Sequence, residues 1–272
     1  MIDFGAIRGR RIGAVSAFID NRLTEGHVAF SMSQLEKETG LTVSAAKSQI
    51  RRLGHKIVRV SKAQSFFLIV SPEHFSRGSP PVDWWLDDYF RWLGHPYYLA
   101  LQSAAGTHGS NPQSIQVTQV MTDTPRRPVT VGQLRVVFFV KHSIQATPTQ
   151  QLANAFAPAR VSTPAATGFD LIRYAARIGG IGRAVETLRP LLALIDQTEL
   201  RAVLEAENET ATAQRLGYVL DKTGKAKLAA VVENWLPARR PAILLSTTSA
   251  GRPAGPARSP WRVADNSGEF ES

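Results

Sequence analysis

The sequence predicts an α+β protein in two domains, and three observations carry that prediction. Between residues 30 and 70, two short helical periods joined by a tight turn give way to an alternating, hairpin-like pattern. A proline-bearing stretch, SRGSPP at 76–81, then interrupts the chain. Beyond it, period-two segments precede an almost wholly helical region over 164–236. The expected organisation is a first domain at 1–76, a linker at 77–81, a second α+β domain at 82–245 and a largely disordered tail at 246–272. In the second domain a small mixed sheet is expected beside a multi-helix C-terminal part.

Apolar residues at Ile12, Val15, Phe18, Ile19 and Leu23 form one face of a first helix, which Gly26 ends. Ser31 or Ser33 is suited to cap the next helix, with Glu36 three residues after Ser33 as a capping-box partner. That helix buries Leu35 and stops at Gly40. Thr42 or Ser44 caps the following one, whose inward face is expected to be Val43, Ala46, Ile50 and Leu53. Val58 and Val60 alternate with Arg59 and Ser61, KAQS at 62–65 makes a turn, and 66–70 returns as a strand. This order is that of a winged helix-turn-helix.

Charge agrees with that pattern. The chain of 272 residues carries a net charge of +10, and residues 1–80 hold twelve Lys/Arg against six Asp/Glu. Residues 161–236 balance at nine against nine, so the surplus is concentrated in the first third. No carboxylate interrupts the run between Glu38 and Glu73. Such a surplus suits a polyanionic partner, against the plainer reading of solubilising charge. A helix-turn-helix lays the N-terminal half of its second helix in the major groove. Ser44, Lys47 and Ser48 are therefore the candidates to face base edges, with Ala45 beside them. Arg51, Arg52 and Lys56 lie farther along, and Arg59 and Lys62 lie on the hairpin, where phosphates are the expected partners. The alternative use of the same fold is protein docking.

The second domain opens with VDWWLDDYFRWL at 82–93, an aromatic helix with Asp83, Asp87 and Asp88 on its wetter side. Its tryptophans could stack bases, but three aspartates disfavour a phosphate partner and point to core packing. Pro96 is expected to open a helix over 97–105. Strands are expected at 114–121, briefly at 128–131, and at 134–141, the last apolar enough for a central position. A helix with proline at its first position is expected over 164–178, followed by helices at 181–195, 198–207, 210–222 and 225–235. Short strands are possible at 243–245 and 261–263 before an unstructured end.

Taken in order, the first domain, YYLALQSAAGTHG, IQVTQVMT, LRVVFFVK and VSTPAATGFDLIRY followed by GGI resemble the AbiEi-type antitoxins of type IV toxin–antitoxin systems. The resemblance spans about 15–235 and implies repression of the protein's own operon at inverted repeats in promoter DNA, through the winged helix. It also implies a C-terminal domain that opposes a nucleotidyltransferase-like toxin without forming a stable complex with it. The family's Thr-Pro-x-x-Thr and Asp pattern falls on Thr163, Pro164, Thr167 and Asp170, whereas Ala165 and Ala166 stand where an acidic residue is common. Two other classes compete: a module that grips the toxin directly, and an RNA-binding protein.

Other chemistry finds little support. The chain has no cysteine, which excludes disulfides, thiolate metal sites and cysteine nucleophiles, and fits a cytoplasmic protein. The N-terminal stretch lacks the apolar core of a signal peptide, and no run reaches the length of a membrane span. The six histidines, at 27, 55, 74, 95, 108 and 142, show no metal-binding spacing. Gly179-Gly-Ile-Gly182 follows a helix rather than a strand and reads as a helix stop and restart, not a phosphate loop. His108 beside Ser110 lacks the strand–turn–helix setting of a nucleophile. No catalytic residue, metal or cofactor is expected.

Overall fold

The computed structural model describes residues 13–110, 117–152, 158–248, 255–257 and 260–270. The start of the first predicted helix and of the strand predicted at 114 lie outside these. The N-terminal part comprises α1 (Ala14–Thr24), β1 (Ala29–Ser31), α2 (Met32–Thr39), α3 (Val43–Leu53), β2 (Ile57–Arg59) and β3 (Phe66–Ile69). Its strands form an antiparallel sheet in the order β1-β3-β2. Ser31, not Ser33, caps α2: its Oγ accepts from the Gln34 N–H, and Gln34 Oε1 accepts from the Ser31 N–H. Thr42 caps α3. Val15, Phe18, Leu35, Ala46, Ile57 and Phe67 fill the core between helices and sheet.

After β3, residues 70–85 cross to the second part through short turns. Segment 76–81 is held rather than loose: the Arg77 carbonyl accepts from the Gln133 N–H at 2.9 Å. Gly78 meets Gly132, where a Cβ on Gly132 would lie 2.1 Å from the Arg77 oxygen. Both glycines have positive φ, so this crossing needs glycine for space and for backbone alike.

Next come α4 (Leu86–Leu93), β4 (Tyr97–Leu99), α5 (Leu101–Thr107), β5 (Val117–Thr122), β6 (Val129–Val131), β7 (Leu134–Val140), β8 (Thr149–Leu152) and β9 (Ala159–Ser162). The sheet runs β6-β7-β5-β4-β9-β8, with β5–β7 and β4–β9 parallel and the other pairs antiparallel. It is larger than the small mixed sheet expected, through β4, β8 and β9. The helix expected from 97 is corrected: residues 97–99 pair with Val120–Thr122 and Val161, and the helix begins only at Leu101. Leu101 makes the turn with φ +54, fully buried, so tertiary pairing overrides local helical preference.

Alternate residues of the sheet enter two cores. Tyr98, Met121 and Phe139 face the helical layer, while Tyr97, Leu99, Val120 and Phe138 face α4. The helical layer is α6 (Pro164–Arg173), α7 (Ile181–Leu191), α8 (Gln197–Glu207), α9 (Thr210–Lys222) and α10 (Ala226–Trp235). Thr163 caps α6 with Pro164 at its first position, as expected, but a short 3-10 turn replaces its last predicted turn.

The expectation of a largely disordered tail is corrected for the described residues. Strands β10 (Ile243–Leu244) and β11 (Val263–Ala264) pair in parallel, and Trp261 and Val263 are buried. Trp261 lies over Gly217, where a Cβ would come 2.1 Å from its ring. Its indole N–H donates to Asp221, and its carbonyl accepts from Gln214 Nε2 at 2.8 Å. Residues 243–244 and 261–264 thus lie against α9.

Candidate nucleic-acid interface and a buried ionic centre

The predicted contact residues share one solvent-exposed tract. Ser44, Lys47, Arg51 and Arg52 are exposed on α3, Ser48 is half-buried beside them, and Lys56, Arg59 and Lys62 are exposed along the hairpin. Among the described residues, no ion pair engages any of the six cations. Arg59 is oriented, because its Nε donates to the Gln64 carbonyl at 2.6 Å and its guanidinium lies 5.9 Å from the Phe67 ring centroid. One expectation fails on this helix: Val43, read as inward, is 41% exposed. It occupies the first helical position, where α3 projects past the core that Ala46 enters.

The aspartates of the aromatic helix do not form a cation site. Asp87 and Asp88 pair with Arg91, and Asp88 also accepts from His27 at 2.9 Å. Among the described residues, no cluster of three or more His, Cys, Asp or Glu could hold a metal. His108 and Ser110 do not act together: the ring bonds the Ser162 carbonyl at 2.7 Å and the buried hydroxyl donates to the Thr187 carbonyl at 2.7 Å. At Gly179 and Gly180, φ values of +105° and +95° make the helix stop and restart.

What sequence reasoning missed is a charged centre inside the second core. Lys141, at the end of β7, is buried, and its Nζ reaches Asp170 Oδ1 at 2.9 Å, Glu207 Oε1 at 2.6 Å and the Tyr98 hydroxyl at 3.2 Å. Tyr98 donates to Asp170 Oδ2 at 2.7 Å and Thr147 to Glu207 Oε1 at 2.8 Å. Arg173 closes the group from the rim, pairing with Glu207 at 3.2 Å and Glu209 at 3.0 Å. Burial, then the neighbouring Asp170 charge, hold the Tyr98 hydroxyl well above its usual range, so it stays a donor. The cluster ties β4 and β7 to α6 and α8. It is closed to solvent and holds charge without presenting it. Asp170, singled out by the family pattern, is thus a structural partner of Lys141.

The fold and these sites define an α+β protein whose six-stranded sheet has α4 on one face and the helical layer on the other, preceded by a cationic unit of helices and a small sheet. Residues 98–222 match the family described as the AbiEi antitoxin C-terminal domain. No curated protein matches the sequence. Among solved structures, the RV2827C protein from Mycobacterium tuberculosis shares the fold, with a TM-score of 0.62 at 18% identity over 93% of this chain and 91% of that one. An antigenic nucleotidyltransferase-like protein from Paracoccidioides brasiliensis is more distant, with a TM-score of 0.36 at 11% identity over 54% of this chain and 88% of that one. No helix among the described residues is long and apolar enough to cross a membrane.

Proposed function

We propose that this protein is an antitoxin of a type IV system and represses its own operon in the cytoplasm. In this reading residues 1–76 are a winged helix-turn-helix bound to inverted repeats in promoter DNA, and 82–245 are the antitoxin domain acting against a nucleotidyltransferase-like toxin. The observation that carries it is the tract of six exposed cations, without ion-pair partners among the described residues, on α3, the turn after it and the β2–β3 hairpin. Partnered cations would gain little from phosphates, whereas solvated ones release counterions on binding DNA. Val43, Ser44, Lys47 and Ser48 face base edges, and the exposed valine methyls suit a thymine methyl. Arg51, Arg52, Lys56, Arg59 and Lys62 meet the sugar-phosphate chain.

Footprinting on the chain's own upstream DNA tests the reading, and protection of inverted repeats is the expected result. Absence of a footprint, with a stable stoichiometric complex with the toxin, would favour a direct toxin-binding module. Displacement of promoter DNA by modest tRNA would favour RNA.

A further inference from the structure

The DNA-facing hairpin is not held by its own unit alone. Tyr89, on α4, donates its hydroxyl to Gln64 Oε1 at 2.8 Å. Gln64 sits in the turn between β2 and β3, and its backbone carbonyl accepts from Arg59 Nε at 2.6 Å. A chain of two hydrogen bonds therefore runs from the second part of the molecule, through one turn residue, to a hairpin cation. The packing follows the same line. Phe66, fully buried at the base of the turn, has the Tyr89 ring at 5.3 Å and the Trp92 ring at 5.2 Å, both from α4. Asp88, one residue before Tyr89, anchors the opposite edge of the unit, accepting from His27 at 2.9 Å and lying 3.9 Å from Arg22. Val28, Ala29, Val60, Phe66 and Leu68 share one core with Leu86, Tyr89 and Phe90. Burial, opposed more weakly by the Gln64 bond and by Arg126, raises the Tyr89 pKa, so its hydroxyl remains a donor.

We propose that Tyr89 is a positioning residue for DNA binding: through Gln64 it fixes Arg59 where a phosphate can be met, so the antitoxin part sets the geometry of the hairpin. This rests on the DNA-binding reading above. Released from Gln64, the Arg59 guanidinium spreads over conformers that do not reach the phosphate, so that contact is lost.

The test uses the full chain and its own promoter fragment, with fluorescence anisotropy across a salt series and a thermal melt for each variant. Tyr89→Phe, which removes one oxygen, is expected to weaken binding by about three- to tenfold, the range of one hydrogen bond. It should also make the log–log salt slope shallower by about 0.9, one phosphate contact. Arg59→Ala should give the same slope, and the double variant should be no worse than Arg59→Ala alone. If Tyr89→Phe lowers the melting temperature, Gln64→Met, made at the turn itself, must reproduce the slope change. Unchanged slope in these variants, or full additivity of Tyr89→Phe with Arg59→Ala, overturns the proposal. Failure of the wild-type chain to bind the fragment would instead defeat the DNA-binding reading. Binding lost with Arg51→Ala/Arg52→Ala but kept with Tyr89→Phe would defeat this inference alone.

Discussion

Replacing Lys141 by Met keeps most of the side chain's length and removes its ammonium group. The ammonium makes three contacts, to Asp170, Glu207 and the Tyr98 hydroxyl, with the lysine and aspartate side chains fully out of solvent and that of Glu207 1% exposed. Its loss leaves Asp170 with the Tyr98 hydroxyl, and Glu207 with Thr147 and with Arg173, whose side chain is 28% exposed and also serves Glu209. Removing one partner of a buried ion pair costs about 3–5 kcal/mol, because the remaining charge stays buried. No large discount for solvent screening applies, since water does not reach the site. For a chain of this size, each kcal/mol lowers the melting temperature by about 2–4 °C. Lys141→Met is therefore expected to lower it by roughly 6–20 °C, measured by far-ultraviolet circular dichroism. Adding Asp170→Asn and Glu207→Gln should restore a large part of the loss, since no unpaired charge remains. A drop below about 3 °C for the single variant would refute the claim that the cluster braces sheet against helices.

Three further outcomes follow from the same contacts. Trp261→Ala should destabilise by about 3–5 kcal/mol in urea unfolding, because the ring is buried over Gly217. Gly217→Ala should be strongly destabilising in the native chain and far less so on the Trp261→Ala background, since the nearest atoms a Cβ would meet all belong to that ring. Tyr98→Phe should cost about 1–3 kcal/mol through the lost donor to Asp170, read by the same unfolding curves.

Much of the N-terminal part was legible because its signals are local. Thr42 announces a helix start by its own side chain, Gly40 announces a stop by its positive φ, and Val58–Val60 announce a strand by alternation. The exposed cations of α3 were legible for the same reason, lying on a helix whose period is plain. Strand β4 was not, since YYL becomes a strand only by pairing with residues about 20 and 60 positions away. Strand β8, TQQL, is largely exposed and shows no apolar alternation to find. The ionic centre had one faint signal, a lysine closing the apolar run VVFFVK, but its partners Asp170 and Glu207 lie 29 and 66 residues away. Val43 was misread because helical periodicity gives a face and does not say where the neighbouring core ends.

The central claim, that α3 and its hairpin bind promoter DNA, is tested most directly by a salt titration of binding for the wild-type chain and Arg51→Ala/Arg52→Ala. Two lost phosphate contacts should weaken binding and make the log–log slope shallower by about 1.8, at about 0.9 per contact. Equal affinity and equal slope for the two proteins would contradict the account.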